Sequence, residues 1–120
     1  SSSKGAVITL TRSLAVELGH ANIRVNCICP GLVRTPMVDP IFQQVADAQG
    51  ISLDEAYAIC GAGLPTGRMG LPEDFGAPAA FLASDESCWI TGAVLNVDGG
   101  TTALNPGIMS VVAQMNSTGH

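Results

Sequence analysis

The sequence predicts an α/β chain in which short strands are covered by helices on both faces. Hydrophobic residues make up 47% of the chain and aromatic residues only 4%, so the core has to come from Val, Ile, Leu, Ala and Met. That mixture is expected of strands sheltered by helices. A helix-period segment over residues 3–19 runs into a short β-rich segment at residues 23–31, which is the beginning of an α/β unit. A second β-rich core, Ala93-Val94-Leu95-Asn96-Val97, follows another helical stretch.

Each element has a local cause. In the first helix Val7, Leu10, Leu14 and Leu18 recur at helical spacing, with Ala6, Thr11 and Ala15 as small neighbours, and Gly19 is the expected stop. Residues 23–31, IRVNCICPG, read as a buried strand closed by Pro30-Gly31, since proline removes a donor and glycine permits unusual backbone angles. Residues 31–40 read as a loop. Residues 41–60 read as one or two short helices, interrupted at Gly50 and restarted by Ser52 with Glu55 as a capping box. With Ile41, Phe42, Val45, Leu53, Tyr57 and Ile59 as its apolar residues, this section suits a lid over a small substrate and a static surface layer equally well. Pro72-Glu73-Asp74 places a proline and two acids in the first turn of the next helix, where they complement its dipole. That helix continues through Phe75, Ala79, Leu82 and Ala83 and tolerates Pro78 early in its course. Asp85-Glu86-Ser87 turns toward the last strand. The tail, residues 101–120, has an apolar interval from Ile108 to Val112 that favours docking at a subunit boundary over fraying.

Composition excludes several classes. Five Lys plus Arg against ten Asp plus Glu give a net charge of -5, the wrong sign for neutralising nucleic-acid phosphates over a broad surface. No run of about 18 uncharged apolar residues is available to span a bilayer, and no secretory pattern is visible in residues 1–20. A soluble, cytoplasmic protein without a membrane partner is therefore expected. Cys27, Cys29, Cys60 and Cys88 lack paired metal-ligand spacing and read as reduced core residues, with Cys27 and Cys29 on one face of the strand and no metal site.

The chemistry-bearing residues fall in four ordered groups. Lys4 follows three serines at the start of a helix. Alone, it would be an exposed solubilising residue, and Ser1, Ser2 or Ser3 a helix cap. A residue one turn earlier on that helix would share its face, however, and an ammonium there favours the ionised form of a neighbouring phenol. The second group is Ile23-Arg24-Val25-Asn26-Cys27-Ile28-Cys29-Pro30-Gly31 followed by Leu32-Val33-Arg34-Thr35-Pro36-Met37. The third is Gly67-Arg68-Met69-Gly70-Leu71-Pro72-Glu73-Asp74, and the fourth runs from Ile90-Thr91-Gly92 to Asp98-Gly99-Gly100. In this order, over residues 1–100, they resemble the C-terminal half of the short-chain dehydrogenase/reductase family, beginning just after its catalytic tyrosine.

The resemblance implies the C-terminal part of a Rossmann-like, doubly wound, mostly parallel sheet, in which residues 1–100 supply the final two strands and their helices to a single NAD(P)-binding domain. It implies an NAD(P)-dependent oxidoreductase interconverting a secondary alcohol and a ketone, with NAD preferred to NADP. A tyrosine immediately before Ser1 would be the acid/base, and Lys4 would tune it and hold the nicotinamide ribose. The resemblance also assigns close approach to the cofactor to Pro30 and Gly31, carboxamide recognition to the Val33 backbone, and a hydroxyl contact near the carboxamide or diphosphate to Thr35. Arg68 becomes chiefly a structural or interface residue. Residues 38–64 become a substrate loop, with Met37, Phe42 and Tyr57 as candidate contacts and a packing role equally open to Tyr57. The implied partners are the upstream half of the same enzyme, a small alcohol or ketone, and further copies in a homodimer or homotetramer. This chain alone is then expected to be inactive. Two other readings share these residues: a catalytically incomplete structural or regulatory subunit that retains the fold, and an epimerase or dehydratase-like relative.

Overall fold

The computed structural model describes residues 2–104; Ser1 and the tail segment expected to dock, with Ile108–Val112 and His120, lie outside the described residues. The chain divides into two compact units, one formed by residues 1–30 with Glu73–Val97 and the other by Gly31–Pro72 with the residues from Asp98 onward.

The first unit holds a parallel pair of strands, β1 (Cys27–Pro30) and β2 (Val94–Val97), in the register Cys27 to Val94 through Pro30 to Val97. Helix α1 (Ser2–Leu18) packs beside β1. Its buried stripe differs from the expected one. Thr11 and Ala15 are the buried residues, flanked by half-buried Ile8, Leu14 and Leu18, whereas Val7 and Leu10 are 52% and 57% exposed. The small residues set the contact face because they allow close approach: a Cβ placed on Gly92 would lie 3.3 Å from Ala15 Cβ. The helix also runs past Gly19. A 3-10 turn (Gly19–Ala21) carries it to Asn22, which adopts the left-handed conformation at φ 61° and returns its amide to Gly19 O.

Strand β1 is shorter than the segment expected from composition. Residues 23–26 bond through side chains as well as backbone. Asn26 donates from Nδ2 to Ile90 O (3.1 Å) and accepts at Oδ1 from Ala93 N (3.0 Å), and the Val25 amide donates to Thr91 Oγ1 (3.1 Å). An amide side chain can mimic a peptide group, so it supplants part of the ladder. Arg24 joins this segment to the late helical region: Nη1 reaches Leu82 O (2.8 Å), Ser87 Oγ (3.0 Å) and Ile90 O (3.3 Å), and Nη2 reaches Ser84 O (3.1 Å).

Pro72–Phe75 form a separate 3-10 turn, with the acids Glu73 and Asp74, before α4 (Gly76–Ala83). The expected helix start is thus displaced, and Pro78 becomes the third residue of α4, where no intrahelical donor is lost. Asp85–Ser87 tighten into another 3-10 turn. Cys27 and Cys29 do share a face, with Sγ atoms 3.7 Å apart, and all four cysteines are free thiols. Cys88 departs from the expected core set, because its loop leaves it exposed.

The second unit is built around two helices, α2 (Asp39–Gln49) and α3 (Leu53–Ala62). Gly50 ends α2 in the left-handed region at φ 67°, and Ser52 caps α3 by accepting from Glu55 N at 3.1 Å. Tyr57, Leu64 and Met69 form the buried cluster, with Val38, Phe42, Leu53 and Cys60 packed against it. Burial raises the Cys60 thiol above its ordinary value. Gly61 is required for close packing, since a Cβ there would sit 2.7 Å from Arg68 Cα.

Candidate cofactor site

Lys4 lies in the first turn of α1, half-buried. With Ser3, Val7, Ile28, Cys29 and Pro30 it lines an open, mainly apolar groove of about 330 Å³ within the first unit. Two of the sequence-predicted residues, Lys4 and Pro30, therefore share one groove. An ammonium at its wall offers up to three donors beside apolar surface, a combination suited to a hydroxyl-bearing ring system.

The other predicted residues lie in the second unit. Val33 forms an isolated parallel bridge with Gly70. The bonds of that bridge run from Arg34 N to Gly70 O and from Gly70 N to Leu32 O, both 2.8 Å. They use the backbone groups of Leu32 and Arg34 and leave those of Val33 outside the bridge. Thr35 O accepts the amides of Val38 (3.1 Å) and Asp39 (3.2 Å), which starts α2. Gly31 serves the protein's own packing: a Cβ there would stand 2.7 Å from Asp98 Cβ. Asp98 in turn accepts the amides of Gly100 (2.9 Å) and Thr102 (3.0 Å) through its carboxylate.

The candidate substrate-loop residues have different surroundings. Met37 is 86% exposed. Phe42 stacks on Tyr57 with ring centroids 4.2 Å apart and planes at 21°. Tyr57 is buried and donates its hydroxyl to Asp39 Oδ1. Desolvation above all, then the hydrogen bond to Asp39 and the charge of that carboxylate, push its pKa up to about 12 against an opposing effect of Arg34. Tyr57 is thus held as a neutral donor at ordinary pH.

Sequence inspection gave no role to Arg34, Asp39 or Asp54, yet they surround Tyr57. The Arg34 guanidinium lies 4.2 Å from the Tyr57 ring centroid and pairs with Asp54 at 2.7 Å. Arg34, Asp54 and Tyr57, with Arg68, line a cavity of about 230 Å³ in the second unit. Arg68 donates to Met69 O at 3.0 Å. Among the described residues, no cluster of three or more His, Cys, Asp or Glu side chains could hold a metal ion, and no helix is long and apolar enough to cross a membrane.

Residues 1–102 match the family model described as Enoyl-(Acyl carrier protein) reductase. The chain belongs to the short-chain dehydrogenase/reductase family. This member is 47% identical over 102 residues to Oxidoreductase UcpA of Salmonella typhimurium, with 83% of this chain and 37% of the relative covered. Among solved structures it resembles L-sorbose reductase from Gluconobacter frateurii, complexed with NADPH and L-sorbose, with a TM-score of 0.77 and 29% identity over 85% of this chain and 39% of that one. It also resembles 4-hydroxyisoleucine dehydrogenase complexed with NADH, with a TM-score of 0.70 and 34% identity over 87% of this chain and 39% of that one. The short-chain dehydrogenase/reductase chain described here therefore spans less than half the length of these relatives. Its parallel pair of strands with accompanying helices is part of a Rossmann-like fold.

Proposed function

We propose that this chain is part of an NAD(P)-dependent oxidoreductase that interconverts a secondary alcohol and a ketone, and that both of its units belong to one dinucleotide-binding domain. The observation that carries the proposal is Lys4 in the first turn of α1, on the wall of a groove that Pro30 also lines. Lys4 holds the nicotinamide ribose and lowers the pKa of a tyrosine one turn earlier on the helix, in the part of the protein beyond this chain's first residue. That tyrosine exchanges a proton with the substrate oxygen. Pro30 and Gly31 form the turn that the cofactor approaches, with Gly31 seated against Asp98 so that the turn can take that course; the Val33 backbone recognises the carboxamide, and the Thr35 hydroxyl contacts it nearby. The bridge pattern at Val33, which uses its neighbours' backbone groups, supports that assignment. When bound, the nicotinamide accepts or supplies the hydride; the protein residues orient it and manage the proton.

Residues 38–64 form the variable wall of the substrate pocket, with Met37 and Phe42 as candidate contacts. Relatives solved with NADH and with NADPH support either dinucleotide, and NAD is the one we favour. The proposal includes a homodimer or homotetramer and a cytoplasmic location. Exposed apolar residues such as Val16 and Trp89 offer surface that the rest of the same protein or another copy would cover.

The test uses the full-length protein with NADH and NADPH and a panel of small ketones. Lys4→Met is expected to lower kcat/KM by about 10²-fold or more, while the variant stays folded. An unchanged rate in Lys4→Met would sink the assigned role. Binding of either dinucleotide without turnover of any substrate would favour the noncatalytic subunit instead.

A further inference from the structure

Thr35 sits inside a closed ring of contacts. Its carbonyl accepts the Asp39 amide at 3.2 Å, the Asp39 carboxylate accepts the Tyr57 hydroxyl, and the Tyr57 ring carries the Arg34 guanidinium 4.2 Å from its centroid. The peptide bond from Arg34 to Thr35 completes the circuit. Arg34 is anchored twice more, by its amide to Gly70 O at 2.8 Å and by its guanidinium to Asp54 at 2.7 Å. Phe42 closes the remaining contact by stacking on Tyr57. A loop of a few residues would otherwise sample many backbone conformations, each diluting the one that presents Val33 and Thr35 correctly.

We propose that Tyr57 is a positioning residue for the 33–35 segment, acting through Arg34 at its ring and Asp39 at its hydroxyl to keep that segment ready to bind the dinucleotide. The inference rests on the cofactor roles of Val33 and Thr35 proposed above. Tyr57 then supports the cofactor loop and does not contact substrate. Arg34 likewise has a task that needs no contact with any ligand.

Positioning predicts a particular kinetic signature. If loosening the ring lowers the fraction of molecules with a competent loop, apparent cofactor affinity falls by that fraction, while the bound state re-forms the same geometry. Loss of a partly exposed cation–π contact and ion pair would weaken dinucleotide binding about 5–10-fold. The turnover number would change by less than about twofold.

The experiment titrates full-length wild type, Arg34→Met, Arg34→Lys and Tyr57→Leu with NADH and separately with NADPH, following nicotinamide fluorescence, and measures kcat where substrate turnover is found. Melting curves establish that each variant is folded at the assay temperature. The Arg34 side chain is only 34% exposed but lies at the rim of the cluster, so its variants keep the proposal testable even where Tyr57→Leu fails to fold. The expected result is weaker binding in Arg34→Met with kcat retained, and recovery to within about threefold of wild type in Arg34→Lys, which loses the planar guanidinium but keeps a cation to face the Tyr57 ring and Asp54. A folded Arg34→Met that binds as tightly as wild type overturns the positioning role and leaves the proposed function standing. Wild-type protein that binds neither dinucleotide overturns both.

Discussion

Tyr57 shows how much a single buried phenol can be governed by its neighbours. Burial, then Asp39, favours its neutral form and pushes its pKa up to about 12 from an ordinary value of 10.0. In the unfolded chain the phenol ionises first as pH rises. The stability it contributes is therefore fully present below pH 10 and is lost as pH climbs through about 12. Comparing wild type with Tyr57→Phe in denaturant series should show a constant difference up to pH 10 that changes only above it; a difference that titrates near neutrality would contradict the assignment. The residue was visible in the sequence as the sole tyrosine in a plausible pocket wall. Its partners were not, because Arg34 and Asp39 lie far from it in the chain and nothing local signals the encounter.

At the scale of elements, Arg24 matters through what it joins. The carbonyls of Leu82 and Ser84 lie at the end of α4, where the helix leaves acceptors without intrahelical donors. A planar guanidinium can serve several such acceptors at once, and Ser87, 1% exposed, fills the space beneath it. Arg24→Leu in the full-length protein should cost about 1.5–3 kcal/mol, read as a lower denaturant midpoint with an unchanged slope, because it removes a charge-assisted fork and leaves these carbonyls only their neutral donors from Ser87 and Asn26. A loss below about 0.5 kcal/mol would mean that water replaces the fork. Local chemistry made some elements legible beforehand: Gly50 and Ser52 mark the break between α2 and α3 through backbone freedom and a side-chain cap that act within one turn. The buried side of α1 was legible in part: Thr11 and Ala15 are the small packing neighbours expected of them, whereas Val7 and Leu10, expected on the stripe, are exposed. Strand length was overestimated because the bonds of Asn26 with Ile90 and Ala93, and of Val25 with Thr91, form only after folding.

Across the whole molecule, what the sequence disclosed was the order of its motifs. Lys4, the Pro30-Gly31 turn, the Val33–Thr35 loop and the late Gly-rich segment each say little alone, and together they matched the family to which the chain belongs. Two of the proposed cofactor residues, Lys4 and Pro30, also meet on one groove. The contacts that steady the rest of the candidate site escaped inspection because they depend on packing between α2, α3 and the loop before them.

The pairing of β1 with β2 has a kinetic side. Roughly sixty residues of chain separate two strands that are direct neighbours in the sheet, so their ladder can form only after a long loop has closed. Helices α2 and α3, joined by a short turn, need no such closure and can assemble on microsecond timescales. In refolding followed by pulsed hydrogen exchange, amides of α2 and α3 should gain protection before the Cys27 amide, which donates to Ala93 O at 2.9 Å; simultaneous protection would show that the two events are one. Until the strands meet, Cys-Ile-Cys is an unpaired apolar segment on a folding chain, and the route by which this protein reaches its fold is where it is most exposed to self-association.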